Sequence, residues 1–256
     1  MYTILIILLL DAKFTNIIEW KSILQAISEI ADEVMFICNQ EGITFRGMDS
    51  SHVSLLDITF PKSSFTFFNC DPTFFGISVN DFKTIIDSAS NNDQIELIID
   101  SPHKMKISIN GNLQMKYDLN LIEKSTVNTP IPKIDATSKI SLSPDTLTKI
   151  MTNIGRVSEN VKISSVSEKI QFSGSGIIGK AEVDLEASNA DVSLIEVTQN
   201  SSSVYALEYM AKIIKNIGKA SKNVHMQYGS KTPMHMLFEM PSSTIVEYYL
   251  APRIES

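Results

Sequence analysis

The sequence predicts an α+β protein made of two similar domains, on three observations. Runs with alternating or β-branched character outnumber runs with helical periodicity. The helical runs also fail to alternate one-for-one with the strands, which argues against a doubly wound parallel sheet. Finally, Val34-Met35-Phe36-Ile37 followed by Glu41-Gly42-Ile43-Thr44-Phe45 matches Val161-Lys162-Ile163-Ser164 followed by Glu168-Lys169-Ile170-Gln171-Phe172, 127 residues further on.

Helical periodicity marks four segments. From Trp20 to Val34 the apolar residues Ile23, Ala26, Ile27, Ile30, Ala31 and Val34 recur at three and four, with Lys21, Gln25, Ser28, Glu29 and Asp32 on the other side. The second segment, Asn80 to Ala89, is built on Phe82, Ile85, Ile86 and Ala89. The third opens at Ser143-Pro144, an N-cap followed by proline at the first helical position, and runs to about Val157. The fourth covers Tyr205 to Ala220.

Strands are expected at Glu41 to Phe45, Val53 to Phe60, Gln94 to Ile99, Lys104 to Ile109 and Leu113 to Leu119 in the first half. In the second half they are expected at Lys169 to Phe172, Lys180 to Glu186, Asn223 to Tyr228, His235 to Met240 and Thr244 to Leu250. Asn110-Gly111 reads as a hairpin turn. Each half therefore runs strand, helix, strands, helix, strands. Domains are expected at 1–121 and 138–256, joined by a linker at 122–137, where Pro130 and Pro132 interrupt the periodicity. The opening Met1 to Leu10 lacks a basic flank and a small-residue cleavage site and is too short to span a bilayer. It is expected to form a strand, with 1–9 an extra apolar segment.

Charge and composition remove several functions. Lys and Arg number 22 against 29 Asp and Glu, a net charge of −7, so a globally basic nucleic-acid binder is excluded and any phosphate contact needs a local basic patch. Cys38 and Cys70 are too few for a disulfide scaffold or a zinc ribbon, and His52, His103, His225 and His235 have no ligand spacing; neither metal nor cofactor is expected. Gly174-Ser175-Gly176-Ile177-Ile178-Gly179-Lys180-Ala181 imitates a phosphate loop, but Ala181 to Glu186 alternate as a strand does, and Ala181 lacks the magnesium-binding hydroxyl. Those glycines read as a turn between strands. Asp49-Ser50-Ser51-His52 holds the residue types of a hydrolase triad, yet neighbours in sequence point in different directions, so no catalytic residues are expected there.

The informative charge lies in the fourth helix. At about 100° per residue, Lys212, Lys215, Lys219 and Lys222 fall within roughly an 80° arc, opposite Ala206, Met210, Ile213, Ile214, Ile217 and Ala220. Lys149 and Arg156 share a face of the third helix. Neither stripe interleaves aromatic or base-reading residues, so nucleic-acid contact is expected at the backbone and without sequence preference.

Gly47-Met48-Asp49-Ser50-Ser51-His52-Val53-Ser54-Leu55 and Tyr249-Leu250-Ala251-Pro252-Arg253-Ile254-Glu255 closely resemble the two signature segments of the proliferating cell nuclear antigen family of DNA sliding clamps. The resemblance runs from about Leu10 to the C-terminus, including Asp11-Ala12-Lys13-Phe14 as first strand and Thr232-Pro233 near the end. It implies two topologically similar clamp domains per chain, with helices lining the inside and antiparallel sheets outside, assembling into a six-domain ring. It further implies a trimer, of this chain or of paralogues, around double-stranded DNA. Such a ring performs no catalysis; it tethers DNA polymerase, clamp loader, flap endonuclease and DNA ligase, with no membrane involved. The implied location is on DNA inside the cell: nucleus if eukaryotic, cytoplasm if archaeal, the site of viral replication if viral. The runner-up is a checkpoint-type or regulatory ring subunit that recruits repair proteins without supporting processive synthesis.

Carried over residue by residue, Lys21, Lys149, Arg156 and Lys215 match basic inner-wall positions, with Lys212, Lys219 and Lys222 as neighbouring charge. Ser28 and Asp87 stand where lysine is frequent in the family, which implies DNA contact mainly by the second domain. The implied partner pocket comprises Met48, His52, Val53, Leu55, Pro233, Tyr249, Leu250, Ala251 and Pro252, with Val127 and Ile131 from the linker. Leu113, Met115 and Tyr117 alternate along one expected edge strand and Ala181, Val183 and Leu185 along another; these are the expected subunit interface.

Overall fold

The computed structural model describes residues 8–123 and 129–254. The elements of the first half are β1 (Leu10–Phe14), α1 (Ile17–Ser28), β2 (Glu33–Asn39), β3 (Gly42–Met48), β4 (Ser54–Pro61), β5 (Phe67–Cys70), β6 (Thr73–Ser78), α2 (Val79–Asp87), β7 (Gln94–Ser101), β8 (Lys104–Asn110) and β9 (Gln114–Asn120). Those of the second are β10 (Ser138–Leu142), α3 (Pro144–Ile154), β11 (Asn160–Val166), β12 (Lys169–Gly176), β13 (Gly179–Glu186), β14 (Val192–Val197), β15 (Ser201–Ala206), α4 (Leu207–Ile217), β16 (Asn223–Tyr228), β17 (Met234–Glu239) and β18 (Ile245–Leu250).

The second set repeats the first element by element, and the pairing repeats with it. In one set the strand orders are β5-β1-β7-β8-β9 and β6-β2-β3-β4; in the other they are β14-β10-β16-β17-β18 and β15-β11-β12-β13. Neighbouring strands run antiparallel, as Leu10↔Ile99 and Ser138↔Tyr228 illustrate. This is the α+β architecture of two similar domains that the sequence predicts. Among the described residues, one compact unit comprises 8–47, 57–123, 129 and 241–245, and the other 48–56, 130–240 and 246–254. We call them unit 1 and unit 2.

Helix boundaries follow local chemistry. The N–H of Thr146 donates to Ser143 Oγ (3.2 Å), and Pro144 occupies the first turn of α3 as expected. In α2, Asp81 N–H donates to Ser78 Oγ (3.4 Å). The expected first helix overshoots: α1 stops at Ser28, and Glu33–Asn39 is a strand that buries Val34, Phe36 and Cys38 at period two. The fourth overshoots at both ends, because Tyr205 pairs with Val161 in β15 and Gly218 caps α4 after Ile217. β5, β6, β10, β11, β14 and β15 lie outside the strands expected from the sequence. Ile177 and Ile178 form the exposed connection between β12 and β13, so the glycine-rich stretch is the turn the sequence predicts, and Gly179 adopts a φ of 141° there.

In unit 1, α1 packs beside α2, and their apolar faces meet the sheets through a largely aromatic core. Trp20 stacks between Phe14 (4.4 Å) and Phe60 (4.2 Å), with Phe82 edge-on at 6.3 Å. In unit 2, α3 packs beside α4, and the buried side chains include Ile140, Leu142, Leu147, Ile163, Met210 and Ile214, with Phe172, Tyr205, Tyr228 and Phe238 from the strands. The strand expected within Met1 to Leu10 falls partly outside the described residues; Leu8 and Leu9 precede β1. No helix among the described residues is long and apolar enough to cross a membrane.

Candidate functional site

The chain leaves β3 at Met48 and enters β4 at Ser54 through a turn organised by one carboxylate, all within unit 2. Asp49 is buried, and its Oδ1 accepts from Val53 N–H (2.9 Å), Ser54 N–H (2.6 Å) and Ser54 Oγ (3.1 Å). Its Oδ2 accepts from Ser51 N–H (3.1 Å) and, from α4, Tyr209 Oη (3.5 Å). The carboxylate is thus bound to backbone amides as a turn-former, and the triad-like residue types here hold a loop shape. The turn pushes His52 into the left-handed region (φ 55°) and leaves it exposed.

The C-terminal strand reaches this turn. Ala251 N–H donates to Val53 O (2.9 Å), and Arg253 N–H donates to Val204 O (2.7 Å), which fixes the tail on the same unit. Strand alternation then divides the expected pocket residues. Val246, Tyr248 and Leu250 point to the core, and Ile245, Glu247 and Tyr249 to the opposite face. Leu250 (0% exposed) and Leu55 (1%) are therefore core side chains, and Tyr249 (6%) is buried on the opposite face of the strand, a correction to the contiguous exposed patch expected from the sequence. His52 remains open, Ile131 is exposed, and Met48, Val53, Pro233, Ala251 and Pro252 are half-buried. Val127 lies outside the described residues.

Two residues that the sequence pattern alone does not single out, His235 and Glu247, complete this surface. The His235 ring stacks on Tyr249 with centroids 4.7 Å apart and planes 22° from parallel. His235 Nε2–H donates to Glu247 Oε1 (2.9 Å), and Tyr249 Oη donates to the same oxygen (3.4 Å). Burial pushes the imidazole below its ordinary range while Glu247 pulls the other way. The signal was period two: His235 lies two residues after Pro233, and Glu247 two before Tyr249.

The basic residues divide by unit. In unit 1, Lys21 Nζ donates to Asp87 O (3.1 Å) and Ala89 O (2.7 Å), so it caps the C-terminal end of α2. Lys83 pairs with Asp87 at 2.7 Å. In unit 2, Lys149 and Lys215 are exposed on α3 and α4, and Lys212 pairs with Glu208 at 2.9 Å. The expected four-lysine helical arc is not realised: α4 ends at Ile217, so Lys219 and Lys222 occupy the following turn, where Lys222 N–H donates to Glu239 O (2.9 Å). Arg156 likewise lies past the end of α3, exposed in its turn. The basic character survives as a helix end plus its turn.

Both strands expected at the subunit interface stand at the end of a sheet. β9 closes the order β5-β1-β7-β8-β9 in unit 1, with Leu113 exposed just before it and Met115 and Tyr117 half-buried. β13 closes β15-β11-β12-β13 in unit 2, with Ala181 and Val183 half-buried and Leu185 buried.

Comparison with known proteins gives a consistent family match. The sequence pattern of the proliferating cell nuclear antigen N-terminal domain matches residues 9–127, and that of the C-terminal domain matches 130–253. The chain is 35% identical to the DNA polymerase sliding clamp of Nitrosopumilus maritimus over 96% of its own length and 98% of that protein. It is 33% identical to that of Cenarchaeum symbiosum, over 96% of its length and 99% of that protein. A crystal structure of PCNA from Thermococcus kodakaraensis shares the fold at a TM-score of 0.91 and 21% identity, over 95% of this chain and 100% of that one. A PCNA2–PCNA3 complex from Sulfolobus tokodaii does so at 0.87 and 24%, over 96% and 100%.

Proposed function

The chain belongs to the proliferating cell nuclear antigen family and is a DNA sliding clamp, and we propose that three chains close a ring around duplex DNA to hold polymerase at its template. The observation that carries this reading is the element-by-element repeat, which gives one chain two copies of a single sheet-and-helix unit. Two such copies in each of three chains make a six-domain ring, helices inward and sheets outward. The free edges of β9 and β13 supply its subunit contacts, through Leu113, Met115 and Tyr117 on one side and Ala181, Val183 and Leu185 on the other. The domain limits on this reading are 1–121 and 138–256, with 122–137 as linker.

Duplex DNA is contacted at phosphates by Lys149, Arg156, Lys215, Lys219 and Lys222, with Lys212 adding charge, whereas Lys21 serves the fold of unit 1. The Asp49 turn and the Tyr249–Pro252 tail, with Ile131 of the linker, form the docking surface for polymerase, clamp loader, flap endonuclease and ligase. No chemistry is assigned to the chain: its contribution is a high local concentration of bound enzymes at the primer terminus, on DNA inside the cell. A repair-recruiting ring that does not support synthesis is the weaker reading, because the relatives matched along nearly the whole chain are polymerase clamps. The test is polymerase processivity on primed circular DNA with and without the chain, together with its solution mass. Longer products and a mass three times 28.5 kDa are expected. Unchanged product length with an intact trimer returns the repair-recruiting reading.

A further inference from the structure

Unit 1 holds both cysteines of the chain, and they meet. Cys38 stands near the end of β2 and Cys70 ends β5, and these strands belong to different sheets: β2 lies between β3 and β6, while β5 is the edge strand beside β1. Both side chains turn inward in the alternation of their strands, at 1% and 4% exposure, so the sulfurs come together in the interior. Cys70 Sγ–H donates to Cys38 Sγ at 2.7 Å, and Cys70 Sγ also lies 3.0 Å from Asp71 O. The repeated fold does not require this pair. In unit 2 the residue 127 positions after Cys38 is Ser165, and Ser138 faces Val197 as Leu10 faces Cys70.

We propose that Cys38 and Cys70 are a modification site: a hydroperoxide oxidises them to an intrachain disulfide that staples the two sheets of unit 1 together. Cys70 meets the oxidant, because it is the less buried of the two and ends a four-residue strand at a sheet edge, where local opening breaks few hydrogen bonds. Its sulfur attacks one peroxide oxygen. The O–O bond breaks, the thiol proton leaves with the departing hydroxide as water, and Cys70 becomes a sulfenic acid. The Cys38 sulfur, already in contact, then attacks the Cys70 sulfur; the S–O bond breaks, and the hydroxyl leaves with the Cys38 proton as a second water. The sulfurs lose two electrons and the peroxide gains them. Thiols in contact can be joined by side-chain rotation without moving either strand. Burial pushes both thiols above their ordinary range, so thiolate is scarce at neutral pH and the reaction is slow. Such a pair stays reduced in a reducing compartment and is converted by sustained peroxide, a lasting staple and not a fast signal.

The test exposes the whole protein to hydrogen peroxide at neutral pH over a time course, removes the excess, and alkylates free thiols with iodoacetamide in denaturant before peptide mapping. A linked Cys38–Cys70 peptide and loss of alkylation at both positions are expected, with the chain still running as a single chain on a non-reducing denaturing gel. Trp20 emission reads the consequence, because the bond closes a loop between residues 32 apart in the same unit. The thermal midpoint should rise by about 5–15 °C on oxidation and return with dithiothreitol. Only the part reversed by dithiothreitol belongs to the disulfide, since methionine sulfoxide resists that reagent. Cys38→Ser and Cys70→Ser should each abolish the reversible rise, and Cys38→Ser should leave Cys70 carrying oxygen. Two alkylatable thiols after prolonged peroxide overturn the proposal. So do sulfinic or sulfonic acid at either cysteine without a linked peptide, or chains joined to one another. A linked peptide with no reversible rise in the midpoint overturns the staple. Thiol counting and mapping need no variant, so they decide the matter even where a serine variant fails to fold.

Discussion

Trp20 on the first helix of unit 1 stacks between Phe14 and Phe60, whereas its counterpart 127 residues later is Leu147, and the fully buried aromatic side chains of unit 2, Phe172, Tyr205, Tyr228 and Phe238, stand on strands instead. Matched through their helices and strands, Phe82 of α2 corresponds to Met210 of α4, and Phe14 of β1 to Leu142 of β10. At one end of the units the contrast is polar. Cys38 lies with its Sγ 2.7 Å from that of Cys70, while the corresponding Ser165 bonds Ser138 (2.5 Å) and Ser201 (2.8 Å) through hydroxyls, and all five are buried. One topology thus accepts two fillings. The copies share which positions face inward, and that pattern fixes the fold while side-chain identity tunes packing.

The largest expected effect uses that contrast. Phe14→Ala removes one face of the Trp20 sandwich and should cost about 3–5 kcal/mol, against about 2–5 kcal/mol for Leu142→Ala at the equivalent buried position. Trp20 is the single tryptophan, so its emission reports unit 1 directly in a denaturant titration. An aromatic core predicts that Phe14→Ala shifts the Trp20 transition strongly and that Leu142→Ala shifts it less. Equal shifts would mean that the two fillings are energetically equivalent.

A second contrast lies in one connection and its two versions. Between β3 and β4 the chain turns on the Asp49 carboxylate; between β12 and β13 it turns through Ile177 and Ile178, which are fully and largely exposed. Asp49→Ala leaves the Val53 and Ser54 amides without their acceptor and should cost about 2 kcal/mol. It should also weaken peptide docking, because Val53 moves with the turn. Ile177→Ser and Ile178→Ser should stay within about 0.5 kcal/mol of wild type, as exposed substitutions do. Denaturation midpoints and partner-peptide titration on the three variants decide whether the carboxylate or the strand pairing holds the loop between β3 and β4.

Much of the fold is legible in the sequence, and the misses have definite causes. The repeat, the Ser143-Pro144 helix start and the glycine-rich turn are local signals, and the structure has each of them. The first helix reads too long because Ile30, Ala31 and Val34 continue its spacing, although Val34 belongs to a strand whose alternate residues are buried. β5 and β6 escape because Phe67-Phe68 and Phe74-Phe75 place aromatic residues side by side and hide the period of two; β15 opens on three serines. At the surface proposed for docking, contiguity misleads. Tyr249 and Leu250 are adjacent in sequence but face opposite sides of β18, and the stacking partner of Tyr249 comes from another strand. Adjacent-residue patterns show that a segment matters; pairing across the sheet decides which of its side chains can be reached.

The smallest expected effects separate the two units by what their lysines do. Lys21 in unit 1 donates to two carbonyls at the end of α2, a site where a cation offsets the negative end of the helix dipole. Lys21→Met should therefore lower the stability of unit 1 by about 0.3–1 kcal/mol, the usual worth of such a charge, and leave the salt dependence of DNA association unchanged. Lys215 and Lys219 in unit 2 are exposed. Lys215→Ala or Lys219→Ala should leave the unfolding midpoint in place and reduce the slope of log affinity against log salt by about one for each phosphate that is no longer neutralised. The measurement is DNA association across a salt series beside a denaturation curve for each variant. A reduced salt slope for Lys21→Met would return that residue to the DNA-facing set. Unchanged slopes for both unit 2 variants would make their charge a solvated surface, and the polarity between the units would then have no bearing on DNA.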